Sequence, residues 1–236
     1  MPDFMHLFWV QADNGYQNTF YTYNSWEVPK KQILNDPISN LVDPRQYIFV
    51  NYLDTTGEMK LVKDGSTDVI TSDGINCYYS ANKEIRSCGS KMPFKLMSGS
   101  TQVDSIEFVY GDGSKHFVLY YVNAYGGWDS LLIGGNVKKT DNVTPFSYRN
   151  KQRGKVKYMN EITSAWTLYT DDMNDGSKMY HLLESTDVYL HNLKNDEIIP
   201  VVITDTNCEY KTYANQGNKR FNYTINVEES KYKYRK

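Results

Sequence analysis

The stretch His116–Gly135 reads HFVLYYVNAYGGWDSLLIGG, in which a long apolar run ends at a glycine pair and a second apolar run follows. Phe117–Val122 offers no polar face, because aliphatic and aromatic side chains occupy every position. A strand of this kind has to be covered on both sides, by a second sheet or by a neighbouring subunit. Gly126 and Gly127 allow a sharp turn, since glycine adopts positive φ without strain. The stretch therefore predicts strand, turn and strand.

Strand-like runs recur between turn residues along most of the chain. Asp64–Gly65 and Gly111–Gly113 carry the turn chemistry of β-hairpins, so that neighbouring strands are expected to pair in antiparallel fashion. Helical periodicity is weak, and its best example is Ser177–Ser185. The sequence predicts an all-β fold, built from antiparallel β-sandwich or barrel-like units with at most one or two short helices.

Two segments interrupt this pattern and suggest how the chain is divided. Ser98–Thr101 consists of small polar residues that cannot anchor to a core, which is typical of a linker. A boundary there predicts an N-terminal β-rich domain over residues 1–98 and a C-terminal β-sandwich-like domain over residues 102–236. Asn136–Arg153 is polar and basic with Pro145 in its middle, and it is interpreted as a long surface loop.

Alternation within the strands of the C-terminal half predicts its core. Apolar side chains at every second position of a strand share one face of the sheet, and that face is expected to be buried. The residues selected in this way are Phe117, Leu119, Tyr121, Val188, Leu190, Val202 and Ile225.

The composition argues against several classes of function. The 236 residues carry a formal net charge of −2, which provides no overall field for gripping a polyanion or an anionic membrane. No apolar run approaches the roughly 20 residues of a spanning helix, and the N-terminal apolar run lacks the features of a signal peptide. Neither a membrane span nor secretion is expected. The 21 tyrosines fit two explanations equally, the interfaces of an assembling protein or an AT-rich genome.

Residues that commonly carry out chemistry form no recognisable site in the sequence. Asp171–Gly176 resembles a calcium loop, but aligning its glycine places Met173 and Leu182 at ligand positions, so that a solvated turn is expected. The cysteines form no C-x-x-C pair and are expected to be reduced; they are Cys77, Cys88 and Cys208. The histidines lack metal-binding spacing; they are His6, His116, His181 and His191. No catalytic residue, metal or cofactor is therefore predicted.

Two aromatic features have alternative interpretations. Trp128 follows the glycine pair, where it either folds back over the hairpin end or is presented to stack on a sugar or a base. Lys231–Lys236 alternates cations with tyrosine, a pattern that either lines a nucleic-acid backbone or belongs to a frayed tail. The residues alone leave both alternatives open.

Four segments together resemble virion structural proteins, the tail and ring proteins of tailed phages that infect Bacteroides, including the crAss-like group. The segments are Phe117–Asn123, Tyr125–Asp129, Glu184–Leu190 and Ile198–Ile203, and the resemblance covers roughly Ser105–Val227. It implies a non-enzymatic component that forms or decorates a ring of the portal or tail assembly through subunit contacts. The implied location is the virion, after synthesis in the cytoplasm of the bacterial host.

The same resemblance implies the partners, which are copies of this chain in a ring, neighbouring portal or tail proteins, and packaged DNA in passing contact. Long polar segments of such a subunit are expected to become ordered on neighbours, because they bury too little apolar surface alone. The candidate interface residues are Tyr125, Trp128, Pro145, Tyr148, Arg149, Lys231, Tyr232, Lys233 and Tyr234.

Two other functions stay open at this stage. One is a carbohydrate- or ligand-binding β-sandwich module that uses exposed Trp and Tyr side chains, which is favoured if Trp26, Trp128 and Trp166 form one aromatic platform. The other is a β-sandwich hydrolase, for which no local motif is present.

Overall fold

The computed structural model describes residues 33–35, 37–54, 58–63, 66–68, 74–81, 87–123, 126–170, 179–212, 219–230 and 233–235. Across these residues the chain folds into strands β1 to β15, with one short helix, α1, at Met179–Leu183. The all-β prediction is confirmed. The predicted helix at Ser177–Ser185 is present over its central part, and the calcium-like segment Asp171–Gly176 lies outside the described residues. No helix of the described part has the length and apolar character that crossing a membrane requires.

A five-stranded sheet contains strands in the order β1, β7, β6, β3, β4. The two-residue strand β1 pairs with β7 in parallel, and the other pairs are antiparallel. The bounds are Leu41–Val42 for β1, Met59–Lys63 for β3, Ser66–Asp68 for β4, Lys91–Ser98 for β6 and Thr101–Tyr110 for β7.

A larger, wholly antiparallel sheet follows the order β10, β11, β14, β13, β12, β8, β9, with β15 paired to β11. The first four strands in chain order are Phe117–Val122 (β8), Trp128–Leu132 (β9), Val137–Asn150 (β10) and Gly154–Tyr169 (β11). The others are Val188–Asn192 (β12), Glu197–Thr212 (β13), Lys219–Glu229 (β14) and Lys233–Arg235 (β15).

The two-stranded sheet of β2 (Tyr47–Asp54) and β5 (Gly74–Ala81) links the two larger sheets. On one face of β2, Ile48 and Val50 are buried in a cluster with β3, β6 and β7. On the opposite face, Tyr47 and Phe49 pack with β8 and β9. Period-2 alternation thus gives β2 two apolar faces, which join the layers.

Strand β8 is covered on both sides, as its uninterrupted apolar sequence predicts. Val118 and Tyr120 are fully buried in the cluster shared with β2. Leu119 and Tyr121 are fully buried in the opposite cluster, which also contains Leu182 of α1. A sheet of the same chain provides the cover on the β2 side.

The large sheet is strongly curved. Side chains of β8, β10, β11, β12, β13 and β14 line one cavity together. In a flat sheet β8 and β10 would lie about 24 Å apart, because five steps of about 4.8 Å separate them in the strand order. The sheet therefore curls around its apolar face, as in a partly closed barrel.

The predicted core residues are largely buried, with one error. Relative exposure is 5% or less for Leu119, Tyr121, Val188, Leu190 and Ile225, and Phe117 is half-buried against the same cluster. Val202 is 55% exposed, so its assignment to the core was wrong. Its neighbour Val201 faces the core, and alternation places Val202 on the outer face of the sheet.

The predicted domain boundary at Ser98–Thr101 was wrong. Gly99 and Ser100 form the turn between β6 and β7, and Gly99 has a φ of 60° there. The two strands pair from Ser98 opposite Thr101 to Lys91 opposite Val109. One five-stranded sheet thus contains strands from both predicted domains, 1–98 and 102–236. Small polar residues are typical of hairpin turns as well as of linkers, because both need backbone freedom.

Candidate assembly interface

The hairpin of β10 and β11 projects many exposed side chains, above all along β10 and in the turn that follows it. The interpretation of Asn136–Arg153 as a surface loop was wrong, because Val137–Asn150 forms a 14-residue strand followed by a turn at residues 151–153. At about 3.3 Å per residue, β10 is about 45 Å long. Most side chains of this strand are exposed in the described structure, and accordingly few apolar residues mark it in the sequence.

In the described structure, the outer part of this hairpin is a two-stranded ribbon without a third strand on either edge. On its other edge β11 pairs with β14 only over Ala165–Tyr169 and with β15 only over Asn160–Ile162. Among the described residues, 146–159 pair only with one another. We call residues 142–160 the arm. Two-stranded ribbons are marginally stable in water, so that contact with a further surface would stabilise the arm.

Local sequence explains the shape of the arm. Pro145 lies on the edge strand β10, where its missing N–H removes no ladder bond from a central strand. Gly154 follows the turn with a φ of 73°, a conformation that favours glycine. The register shifts between Phe146 and Ser147, which leaves Tyr158 as an extra residue on β11. Such a bulge increases the local twist and redirects the side chain.

One face of the arm carries an aromatic strip made of Phe146, Tyr148 and Tyr158. The Tyr158 ring centroid lies 6.4 Å from that of Phe146 and 6.1 Å from that of Tyr148. Tyr148 is 50% exposed and Tyr158 is 55% exposed. Exposed tyrosine and phenylalanine side chains are typical of interface residues, because they bury a large area at small entropic cost.

The opposite face of the arm carries a basic face made of Arg149, Lys155 and Lys157. Arg149 lies directly opposite Lys155 in the ladder, and Lys157 lies opposite Ser147 on the same side of the ribbon. All three residues are exposed. Across the described residues these side chains make no ion pair. Like charges directly opposite one another destabilise a strand pair, so an anionic partner would relieve repulsion here.

Polar contacts between β10 and β11 and one small cavity lie at the base of the arm. Lys139 Nζ lies 5.5 Å from the Trp166 ring centroid and 3.6 Å from Asp141 Oδ1. Ser164 Oγ donates a 2.7 Å hydrogen bond to the same carboxylate oxygen. The cavity, of about 160 Å³, is lined by Lys139, Ser164 and Trp166 together with Glu197, Glu229 and apolar residues. This volume is below the usual range of small-molecule sites, about 300–1,000 Å³.

The structure places three of the predicted interface residues together on the arm, namely Pro145, Tyr148 and Arg149. Trp128 is only 1% exposed, so its assignment to an interface surface was wrong. It packs with Phe49 and Tyr189 between the sheets, which is the folded-back arrangement that the sequence left as one alternative.

The other predicted interface residues lie outside the described residues or belong to β15. Tyr125, Lys231 and Tyr232 lie outside the described residues. Lys233 and Tyr234 belong to β15, where their backbones pair with Ile162 and Glu161 of β11. The last described residues of the chain are thus a strand beside the arm.

A shared platform of Trp128 and Trp166 does not exist. Trp128 belongs to the cluster between β2 and β8, whereas Trp166, which is 5% exposed, belongs to the cluster on the other face of the large sheet. Trp26 lies outside the described residues.

A buried polar network joins β2 to the β8–β9 hairpin, and sequence reasoning missed it. Asn35 Nδ2 donates a 2.6 Å hydrogen bond to Asp129 Oδ1, and Asn123 Nδ2 donates a 2.6 Å bond to Asp129 Oδ2. Asn51 Nδ2 donates to the Trp128 carbonyl oxygen at 2.9 Å. The available signal was a set of isolated Asn and Asp residues inside apolar strands, where a buried polar group needs a partner.

A second buried chain of hydrogen bonds runs through Tyr120 and His191. The Tyr47 amide donates to Tyr120 Oη at 2.9 Å, and Tyr120 Oη lies 3.0 Å from His191 Nδ1. His191 Nε2 lies 3.0 Å from Asp196 Oδ1, which assigns the proton of the neutral ring to Nε2. Burial lowers the pKa of His191, against a smaller raising effect of Asp196. Because Tyr120 and His191 are fully buried, this arrangement positions strands.

The remaining reactive residue types form no cluster in the described part of the chain. Cys88 is an exposed free thiol. No three His, Cys, Asp or Glu side chains among the described residues are arranged to hold a metal ion.

Comparison with known proteins assigns no family. No protein-family model matches the chain, and no curated protein sequence matches it significantly. A functional interpretation of the arm therefore depends on its geometry, its charge and its exposed side chains.

Proposed function

We propose that this chain is a non-enzymatic structural subunit that assembles with copies of itself and with neighbouring proteins through the arm. The observation that carries the proposal is the aromatic strip, two half-exposed tyrosines beside a phenylalanine on a ribbon that belongs to none of the core clusters of the described residues. Covering this strip would remove apolar surface from water and would stabilise a ribbon that is marginal alone.

The arm favours contact through a face over contact through an edge. Its outer strand β10 contains Pro145 and charged side chains, which discourage the addition of another strand. Tyr148 and Tyr158 are rigid side chains with a polar tip, which suits a contact that forms between folded subunits.

The resemblance to phage tail and ring proteins suggests where such a subunit works. An arm that docks on a different surface of the next copy makes a heterologous contact, which closes into a ring when the rotation between copies permits it. A ring in the portal or tail region of a virion is therefore the proposed setting, with adjacent portal or tail proteins as further partners.

The test compares the oligomeric state of the wild type and of the variant Tyr148→Ser/Tyr158→Ser. Size-exclusion chromatography with light scattering over a concentration series is expected to show assemblies of the wild type that the variant no longer forms. Tyr180→Ser/Val202→Ser is the matched control, because Tyr180 and Val202 are 64% and 55% exposed away from the arm.

Equal association of the wild type and the arm variant would contradict the proposal, as would a wild type that stays monomeric at every concentration. A monodisperse monomer that binds a glycan would favour the carbohydrate-binding alternative. Circular dichroism of all three proteins establishes that the substitutions leave the fold intact.

A further inference from the structure

The arm is strongly basic within a chain that is slightly acidic overall. Residues 142–160 contain five Lys and Arg side chains and no Asp or Glu. The whole chain has 26 Lys and Arg against 28 Asp and Glu, so the residues outside the arm carry a formal charge of −7. The net charge of −2 hides this separation, which explains why composition alone argued against binding of a polyanion.

The five cations are concentrated at the outer end of the arm. They are Arg149, Lys151, Arg153, Lys155 and Lys157, and all are exposed. Residues 149 to 157 turn back on themselves, so that β10 contributes only Arg149 and Asn150 and β11 contributes Gly154–Lys157, which is about 13 Å long at about 3.3 Å per residue. Five charges over about 13 Å correspond to one charge per about 2.6 Å, which is of the same order as duplex DNA with one charge per roughly 1.7 Å of axis.

Two kinds of partner could neutralise such a surface, a cluster of carboxylates on a protein or the phosphates of a nucleic acid. In the described part of a second copy, Asp43 already pairs with Arg45 and Glu107 with Lys91, so these carboxylates are engaged. No three His, Cys, Asp or Glu side chains are arranged there so that they could hold a cation together. The regularly spaced phosphates of a nucleic acid therefore match the closely spaced cations of the arm better than the carboxylates of a second copy do.

The shape of the arm leads to the same ligand. The major groove of B-DNA is about 12 Å wide and admits a two-stranded β-ribbon. Residues 146–159 are such a ribbon, with no third strand on either edge in the described structure. We propose that the basic face and the turn of the arm bind the phosphate backbone of double-stranded nucleic acid, without base-specific readout.

This binding site is separate from the proposed assembly contact. The basic face and the aromatic strip lie on opposite sides of the ribbon, because their residues alternate along β10 and β11. Substitutions on one face therefore leave the other face intact. The two proposals can fail independently.

Fluorescence anisotropy with a labelled duplex DNA of random sequence tests the site. If all five cations contact phosphates, affinity is expected to fall about 500-fold between about 50 and about 200 mM salt, from a slope of about 0.9 per contact. For Arg149→Gln/Lys155→Gln/Lys157→Gln the same salt change is expected to reduce affinity only about 12-fold, from the two remaining contacts. At low salt this triple variant is also expected to bind the duplex more weakly than the wild type does.

The control Lys60→Gln/Lys95→Gln/Lys194→Gln removes the same charge from exposed positions outside the arm and is expected to keep the affinity and salt slope of the wild type. Poly-L-glutamate serves as the carboxylate probe. The proposal is overturned if the wild type does not bind the duplex, if both triple variants lose affinity equally, or if poly-L-glutamate binds as tightly as DNA.

Discussion

Replacement of Gly127 by alanine perturbs the junction between the central sheet and the β8–β9 hairpin. A Cβ atom built at this position lies 2.8 Å from both Cγ and Nδ2 of Asn51. Asn51 is fully buried, and its Nδ2 donates to the Trp128 carbonyl oxygen at 2.9 Å. The amide therefore cannot move aside without lengthening this hydrogen bond in a site that water does not reach.

The expected destabilisation follows from three terms. Overpacking costs about 1–3 kcal/mol and the lost hydrogen bond about 1 kcal/mol. The lower entropy of the unfolded alanine chain offsets about 0.4–1 kcal/mol. We therefore expect Gly127→Ala to lower the free energy of unfolding by about 1–3.5 kcal/mol.

Urea denaturation followed by tryptophan fluorescence measures this change in a double-mutant cycle with Asn51→Ala. Truncating Asn51 removes both atoms at 2.8 Å, so Gly127→Ala is expected to be at least about 1 kcal/mol less destabilising in that background. Gly111→Ala is the control, because its nearest neighbour, the Val42 carbonyl oxygen, lies at 3.5 Å. Strict additivity of the two substitutions would refute the steric argument.

Three further predictions concern the histidine, the core and the arm. Burial lowers the pKa of His191 in the folded protein below its ordinary value of 6.5, so the unfolded chain binds a proton more readily than the folded one. The contribution of neutral His191 to stability is therefore expected to be complete above pH 6.5 and to be lost as the pH falls below 6.5. Urea titrations at neutral and mildly acidic pH measure this change in the free energy of unfolding. The variant His191→Asn is expected to lose less stability than the wild type when the pH is lowered. Leu119→Ala is expected to lower the free energy of unfolding by about 2–5 kcal/mol, because Leu119 is fully buried. The free energy of unfolding of Val202→Ala is expected to stay within about 0.5 kcal/mol of the wild type. Equal destabilisation by Leu119→Ala and Val202→Ala would contradict the assignment of Leu119 to the core and of Val202 to the outer face. Trypsin is expected to cut the free protein first at Lys151 or Arg153, which are exposed in the turn of the arm, and assembled protein should be protected there; cleavage at the same rate in both states would argue against contact through the arm.

Local patterns in the sequence were sufficient for the class of fold and for the central strand. The unbroken apolar run Phe117–Val122 required cover on both faces, and alternation identified Leu119 and Ile225 as core. These inferences succeed because the side-chain period of a strand is a local property. The same alternation led to the wrong assignment of Val202. Val201 and Val202 are both apolar, and the pattern does not show which of the two faces the core.

The identity of the covering layer, the hairpin at Ser98–Thr101 and the arm depended on contacts between distant segments. β2 covers β8 across some 70 residues of chain, as the bond from the Tyr47 amide to Tyr120 shows, with a separation of 73 residues. The arm is a strand pair held by main-chain hydrogen bonds, and its alternating runs Phe146–Arg149 and Lys155–Tyr158 are too short to distinguish a strand pair from a loop in the sequence. Its separation into a basic and an aromatic face arises only when Arg149 meets Lys155 across the ladder, because register between strands is a property of the folded chain.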